Sequence, residues 1–183
     1  MHWTLSQLRS TTAATFFVLA AISPAQGADP PAVGEPAPAF SLPDQSGHTR
    51  TLDDFPGRWL VLYFYPKDGT PGCTTQACAL RDDIVRIRAL GARVLGVSLD
   101  SVDSHRQFAG EHELPFLLLA DEDGEVADRY GALRNLLVTR LARRHTFVID
   151  PERRIAARFL NVDPDDHSAD VIRFLEQVTA DPD

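Results

Sequence analysis

The chain has 183 residues, and its 18 basic and 26 acidic residues give a formal net charge of −8 at pH 7. This length suits a single domain that is large enough to bury a proper hydrophobic core. The acidic balance disfavours nucleic acids and anionic membrane surfaces as partners.

The first 27 residues are typical of a secretory signal. Arg9 is their only basic residue, and the apolar run 12–22 has the length of a signal core rather than of a membrane span. Small residues at Ala25 and Gly27 fit a signal peptidase site, so we predict an exported, periplasmic protein that begins at Ala28. It would have no stable membrane contact after processing. The alternative at this point is an uncleaved N-terminal anchor.

Residues 28–35 form a linker, and residues 36–183 form one domain in which apolar runs alternate with helical patterns. Continuous apolar runs predict buried strands, and apolar residues that recur on one helix face predict helices. The predicted elements, in chain order, are a hairpin at 40–52, a strand at 59–65, a helix that ends at 90, a strand at 93–98, a helix at 101–112, a strand at 116–119, a hairpin at 146–160 and a helix that begins near Ser168. This order predicts a three-layer α/β domain.

The loop after the strand at 59–65 concentrates the chemistry of the chain. It contains two prolines and two glycines, and the only two cysteines of the chain, Cys73 and Cys78, follow it. Cys73 stands about where the next helix begins. In an open α/β sheet, ligands bind at the carboxyl ends of the strands. We therefore predict that the active site lies here.

A thiol at a helix start faces unpaired backbone N–H groups and the positive end of the helix dipole, and both favour the thiolate. Lowering a cysteine pKa from about 8.5 to about 6 raises the thiolate fraction at pH 7 roughly thirty-fold, after which the gain saturates. Any larger acceleration must come from groups that polarise the bond being broken. The plainer alternative for Cys73 is a small buried apolar residue without reactivity.

The spacing Pro66-x-x-x-Thr70-x-x-Cys73 resembles the active-site signature of the peroxiredoxins. The fuller string from Tyr63 to Cys78 is similar to the peroxiredoxin Q, or bacterioferritin comigratory protein, subfamily, in which the second cysteine follows the first by five residues. The resemblance covers roughly residues 36–178. It is weakest over 132–143, which departs from the subfamily pattern.

The resemblance implies a thioredoxin-like fold with an N-terminal β-hairpin extension and a peroxidase that needs no metal or organic cofactor. Cys73 would attack hydrogen peroxide or an alkyl hydroperoxide, with Arg144 and Thr70 holding the peroxide and Pro66 shielding the loop. Cys78 would close an intramolecular disulfide on the resulting sulfenic acid. A thioredoxin-like donor would then reduce the disulfide of a monomeric enzyme.

Taken one by one, these residues also have structural interpretations. Thr70 suits a turn or a helix N-cap, and Cys78 suits a core thiol on the inner face of its helix. Arg144 alone resembles a surface charge, and its neighbour Arg143 is the obvious misassignment. His105 matches a subfamily position, but we interpret it as structural.

Two other functions remain open at this point. The first is a thioredoxin-type dithiol oxidoreductase, which would favour two residues between its cysteines where this chain has four. The second is a copper carrier of the same fold that binds its metal through two thiols and a histidine. That class usually has three residues between the thiols.

Overall fold

The computed structural model describes residues 28–180, so the predicted secretory signal lies outside the described residues. Within this range no helix is both long and apolar enough to cross a membrane. In chain order, the elements are β1 (Ser41–Pro43), β2 (Thr49–Thr51), a 3₁₀ turn (Leu52–Asp54), β3 (Trp59–Phe64), α1 (Pro71–Asp82), α2 (Ile84–Ala89), β4 (Ala92–Ser98), α3 (Val102–Glu111), β5 (Leu117–Ala120), α4 (Glu125–Arg129), β6 (Leu133–Asn135), β7 (Arg140–Ala142), β8 (His145–Ile149), β9 (Ile155–Leu160) and α5 (His167–Thr179).

The central sheet has five strands in the order β5-β4-β3-β8-β9. Strands β3, β4 and β5 run parallel to one another. Strand β8 pairs antiparallel with β3, and β9 pairs antiparallel with β8. The middle strand, β3, is the continuous apolar run of the sequence, and its residues from Leu60 to Phe64 are buried. Because β8 is antiparallel to β3, the first residues of β8 lie at the carboxyl end of β3. The loop that leads to α1, the helix that contains both cysteines, starts from the same edge.

Two apolar clusters, one on each face of the sheet, make up the core. The first joins β3 and β4 to the buried sides of α1, α2, α3 and α5. The second joins the opposite side of the same strands to the N-terminal hairpin, α4 and the segment before β8. Side chains alternate between these faces along β3, so Tyr63 belongs to the first cluster and Leu62 to the second. This confirms the predicted three-layer domain and its N-terminal hairpin.

The predicted single helix that ends at residue 90 is wrong, because the helix breaks at Asp83. The Asp83 backbone N–H bonds to the carbonyls of both Ala79 and Arg81, and α2 starts afresh at the next residue. The Asp83 carboxylate accepts a 2.5 Å hydrogen bond from Ser168 on α5. A tertiary contact of this kind cannot be read from helical periodicity. Gly91, at a φ of +77°, ends α2 as the sequence predicts.

Three elements between β5 and β8, namely α4, β6 and β7, were not predicted. Helix α4 has only five residues, too few for a periodic pattern, and the buried carboxylate of Asp121 accepts from the backbone N–H groups of Val126 and Ala127 at its start. Strands β6 and β7 form an antiparallel hairpin within the segment that departs from the subfamily pattern. Only half of their residues are exposed, but each strand has only three residues, and the alternation that marks a half-buried strand is missing.

Candidate active site

Cys73 is the third residue of α1, and its side chain is buried. Thr70 occupies the N-cap position, and the first helical hydrogen bond runs from the Thr74 N–H to the Thr70 carbonyl. The sulfur therefore lies in the first turn, where backbone N–H groups have no acceptor inside the helix and the helix dipole favours a negative charge. The structure places Cys73 as the sequence predicts.

Arg144 reaches Cys73 from the segment that immediately precedes β8. Its Nη2 donates to Cys73 Sγ at 3.3 Å, and its Nη1 donates to Gln76 Oε1 at 2.9 Å. A Cβ atom at Gly72 would lie only 2.8 Å from Arg144 Nη2, so the absent side chain at this position admits the guanidinium. The neighbouring Arg143 is exposed, and its Nε contacts the Leu133 carbonyl at 3.5 Å. The structure thus brings together the sulfur and the arginine that the sequence indicates.

Sequence reasoning missed Gln76, which is completely buried one helical turn after Cys73. A polar side chain at this position on the inner face of α1 was the available signal, because a buried amide must find hydrogen-bond partners. Gln76 restrains one guanidinium nitrogen of Arg144 while another contacts the sulfur. The pair fixes the plane of the guanidinium.

A second network holds the loop between β3 and α1. The Asp68 carboxylate accepts from Tyr65 Oη at 2.7 Å and Ser104 Oγ at 2.7 Å, and it lies 2.8 Å from His105 Nδ1. Burial alone raises the pKa of Asp68, but these hydrogen bonds and the His105 charge more than offset it, so the pKa is lowered. The other ring nitrogen of His105 lies 3.1 Å from the Leu119 carbonyl. His105 thus ties the loop to α3 and β5, in line with a structural interpretation of this residue.

Thr70 and Pro66 belong to the loop that leads from β3 to Cys73. The Thr70 hydroxyl donates to the Lys67 carbonyl at 3.0 Å and makes no side-chain cap bond to α1. Its expected contact with the thiolate and the peroxide stays a prediction. Pro66 is half-buried and lines a cavity of about 330 Å³ together with Arg144 and the hairpin residue Leu141. Arg144 therefore forms part of the wall of a cavity that Pro66 also lines.

Cys78 lies in the same helix as Cys73, and both thiols are free. Cys78 is half-buried rather than enclosed in the core. Five residues of a regular helix separate the two side chains by about 140° around the axis and by about 7.5 Å of rise. They cannot form a disulfide while α1 is intact, because a disulfide needs Cα atoms about 5.5–6 Å apart. Among residues 28–180, no group of three or more His, Cys, Asp or Glu side chains is arranged to hold a metal ion.

A model of the AhpC/TSA family matches residues 33–158. The chain belongs to the AhpC/TSA family. Peroxiredoxin Bcp of Bacillus subtilis (strain 168) is 38% identical over 153 residues, which are 80% of this chain and 96% of that protein. The chloroplastic peroxiredoxin Q of Sedum lineare is 40% identical over 146 residues, or 79% of this chain and 78% of that protein.

Solved structures agree with these relatives. Peroxidoxin BcpB from Mycobacterium tuberculosis matches with a TM-score of 0.76 at 34% identity, over 80% of this chain and 97% of that chain. PrxQ of Xylella fastidiosa, solved as a cysteine-to-serine mutant, has a TM-score of 0.76 at 30% identity, over 82% of this chain and 98% of that chain. The predicted thioredoxin-like fold is confirmed, and so is the resemblance to peroxiredoxin Q. The chain is a peroxiredoxin, that is, a thiol peroxidase with an antioxidant function.

Proposed function

We propose that the protein reduces hydrogen peroxide and alkyl hydroperoxides at Cys73. The thiolate sulfur attacks the terminal oxygen of the peroxide and the O–O bond breaks. The leaving oxygen takes a proton and departs as water or an alcohol, and the sulfur is oxidised to a sulfenic acid. The contact of 3.3 Å between Arg144 Nη2 and Cys73 Sγ carries this proposal, because it puts a fixed positive charge where the peroxide must bind.

Arg144 would serve two stages of this reaction. In the resting enzyme its positive charge lies 3.3 Å from the sulfur, where it would bind the incoming peroxide. During attack, negative charge moves from the sulfur to the leaving oxygen, and a guanidinium already fixed by Gln76 stabilises that charge without having to reorient. Thr70 and the backbone N–H of Cys73 would complete the set of groups around the peroxide.

Cys78 would act after the peroxide has gone. Its thiol attacks the sulfenic sulfur, a disulfide forms within the monomer, and water is released. A thioredoxin-like donor would reduce this disulfide through thiol–disulfide exchange and return two thiols. A related bacterioferritin comigratory protein of Xanthomonas campestris, 31% identical to this chain, is described as having alkyl peroxide reduction activity. This supports an alkyl hydroperoxide as one substrate.

Single-turnover kinetics of two cysteine variants test the proposal. Cys73→Ser should lose the reaction with peroxide, because no other thiol lies in the first turn of α1. Cys78→Ser should react once at a rate close to that of the wild type and leave a sulfenic acid that dimedone traps. Mass spectrometry should find a Cys73–Cys78 disulfide in the wild type, and thioredoxin should reduce it. Equal rates of peroxide consumption in Cys73→Ser and the wild type would end the assignment.

A turnover assay with peroxide and dithiothreitol distinguishes a peroxidase from a copper carrier. Peroxide consumption with dithiothreitol should be unaffected by added Cu(I), whereas a carrier would bind Cu(I) through both thiols and show little turnover.

We also propose that the protein works outside the cytoplasm. The intact mass of the exported form should correspond to a chain that begins at Ala28, and a mass that includes Met1 would indicate an anchor instead.

A further inference from the structure

A line of buried hydrogen bonds runs from Arg144 away from the sulfur and into the sheet. Gln76 Oε1 accepts from Arg144 Nη1, and Gln76 Nε2 lies 3.0 Å from His167 Nδ1. The other ring nitrogen of His167, Nε2, lies 2.9 Å from Thr146 Oγ1. Gln76, His167 and Thr146 are all completely buried. These side chains therefore have only one another as partners at these atoms, without competition from bulk water.

The chemistry of the groups gives this line a single direction. A guanidinium can only donate, so the carbonyl oxygen of the Gln76 amide must face Arg144 and its NH₂ group must face His167. His167 Nδ1 then has to accept, which requires it to carry no proton. The proton of the neutral imidazole is on Nε2 and is donated to the Thr146 hydroxyl.

We propose that His167 is a positioning residue for Arg144: its Nε2-protonated tautomer holds the Gln76 amide with the oxygen toward the guanidinium. This role rests on the proposed function, because it matters only where Arg144 acts on a peroxide. His167 touches neither the sulfur nor the substrate cavity. Its effect reaches Cys73 through Gln76 and Arg144 alone.

The surroundings of His167 keep it neutral. Burial lowers its pKa to about 4; Asp170 on its own helix works against this shift, and Arg144 adds to it. The ring of Tyr63, whose centroid is 6.1 Å away, faces it from β3. A proton added to Nδ1 would confront the NH₂ group of Gln76 with a second donor. The amide would then turn, and its NH₂ group would face Arg144, which would lose its anchor.

Three variants and a control test the role of His167. His167→Phe removes the acceptor that Gln76 needs, whereas His167→Asn restores one, since the asparagine Oδ1 occupies nearly the position of Nδ1. Thr146→Val removes the acceptor that selects the tautomer and keeps the shape of the side chain. Ser168→Ala is the matched control, because it breaks another hydrogen bond of α5, the part-buried one to Asp83, which lies outside this line.

The readout is the ratio of two rate constants of the Cys73 thiolate, one with hydrogen peroxide and one with iodoacetamide. Alkylation needs the thiolate but no arginine aimed at a leaving oxygen. General damage to the fold therefore lowers both rate constants and leaves their ratio unchanged. We expect the ratio to fall about tenfold to a hundredfold in His167→Phe, since small misplacements of catalytic groups have effects of this order. The ratio should fall by less in Thr146→Val. It should stay close to the wild-type value in His167→Asn and be unchanged in Ser168→Ala.

The proposal would be overturned by a folded His167→Phe that keeps the wild-type ratio, or by a His167→Asn as impaired as His167→Phe. Nitrogen NMR of the wild type gives a test that needs no variant: the His167 ring should be protonated on Nε2 and bare on Nδ1 at neutral pH, and the reverse tautomer would refute the proposal. Failure of the proposed function would look different. Wild-type protein would then react with peroxide no faster, relative to iodoacetamide, than free cysteine does.

Discussion

Arg143 and Arg144 are chain neighbours that the fold sends into different environments. Arg144 contacts the buried sulfur and the buried Gln76 amide, whereas Arg143 lies exposed at the surface. A charge held in a water-poor site acts more strongly than one in solvent, because the effective dielectric constant is lower. The guanidinium charge of Arg144 can therefore act on the sulfur, whereas that of the adjacent Arg143 is weakened by solvent.

Arg144→Ala should slow peroxide attack by about 10²–10³, the usual effect of losing one donor aimed at a developing charge. Arg143→Ala should have a far smaller effect. Stopped-flow measurement of Cys73 oxidation under single-turnover conditions gives both rates. Similar small effects of the two substitutions would mean that the arginine of the active site lies elsewhere.

Tyr63, unlike Arg144, has a buried polar atom without a hydrogen-bond partner. Within residues 28–180 its hydroxyl is the only buried side-chain nitrogen or oxygen atom that makes no hydrogen bond. Burial raises its pKa well above the ordinary value, so the hydroxyl stays protonated. An unsatisfied buried hydroxyl has lost its bonds to water without replacement, which typically costs about 1–3 kcal/mol.

Tyr63→Phe should therefore raise the free energy of unfolding, by about 1 kcal/mol. Tyr65→Phe is the matched control, because the Tyr65 hydroxyl donates to Asp68 at 2.7 Å and its loss should destabilise the protein. Urea unfolding of both variants and the wild type measures the difference. A Tyr63→Phe that is as destabilised as Tyr65→Phe would show that the Tyr63 hydroxyl has a partner in solution.

Helix α1 combines two requirements that conflict. It must be intact to place Cys73 in its first turn beside Arg144, yet an intact helix holds Cys73 and Cys78 too far apart and on different sides for a disulfide. The helix starts after a loop and ends at the break before α2, so it can open over a few turns without disturbing α2. This arrangement suits a catalytic cycle with one ordered and one opened state.

Oxidation to the Cys73–Cys78 disulfide should unwind the first turns of α1. Amide hydrogen exchange on reduced and oxidised protein should show faster exchange over residues 72–82 after oxidation, while α5 keeps its protection. The oxidised sample must be shown by mass to carry the disulfide. Unchanged protection of 72–82 in such a sample would contradict the expected opening.

At the scale of the whole molecule, two buried histidines link stability to pH. Burial lowers the pKa of His145, and it lowers that of His167 to about 4. An unfolded histidine titrates near 6.5, so between these values the unfolded chain binds protons that the folded protein excludes. The contribution of these neutral, buried histidines to stability is therefore fully present above about pH 6.5, and it is lost as the pH falls toward 4.

His167 alone should lower the free energy of unfolding by about 2 kcal/mol between pH 7 and pH 5. Urea unfolding of the wild type and His167→Asn at both pH values isolates this contribution, since the other titrating groups are common to the two proteins. The variant should lose about 2 kcal/mol less than the wild type over this interval. Equal losses would mean that His167 is not buried as a neutral ring.

The candidate site could be predicted in part. Cys73, Thr70 and Pro66 are close together in the chain, and their spacing carries a signature that local sequence can show. Gln76 was missed although its polarity on the inner face of α1 was a signal. Its pairing with His167 could not be predicted, because the two residues are 91 positions apart and nothing in either segment indicates the other. The break at Asp83 was also missed, and the hydrogen bond that its carboxylate accepts there comes from Ser168, 85 positions along the chain.

The sequence by itself determined the strands of the central sheet, the N-terminal hairpin, most of the helices and the position of the reactive cysteine at a helix start. These depend on local patterns: apolar runs, helical spacing and a loop rich in glycine and proline. The family resemblance singles out Arg144, but only the tertiary structure brings its guanidinium to the sulfur, from 71 positions further along the chain. Strand β8 pairs antiparallel with β3, and this pairing carries Arg144 to the edge of the sheet where α1 begins. The pairing depends on long-range burial, which no local pattern contains.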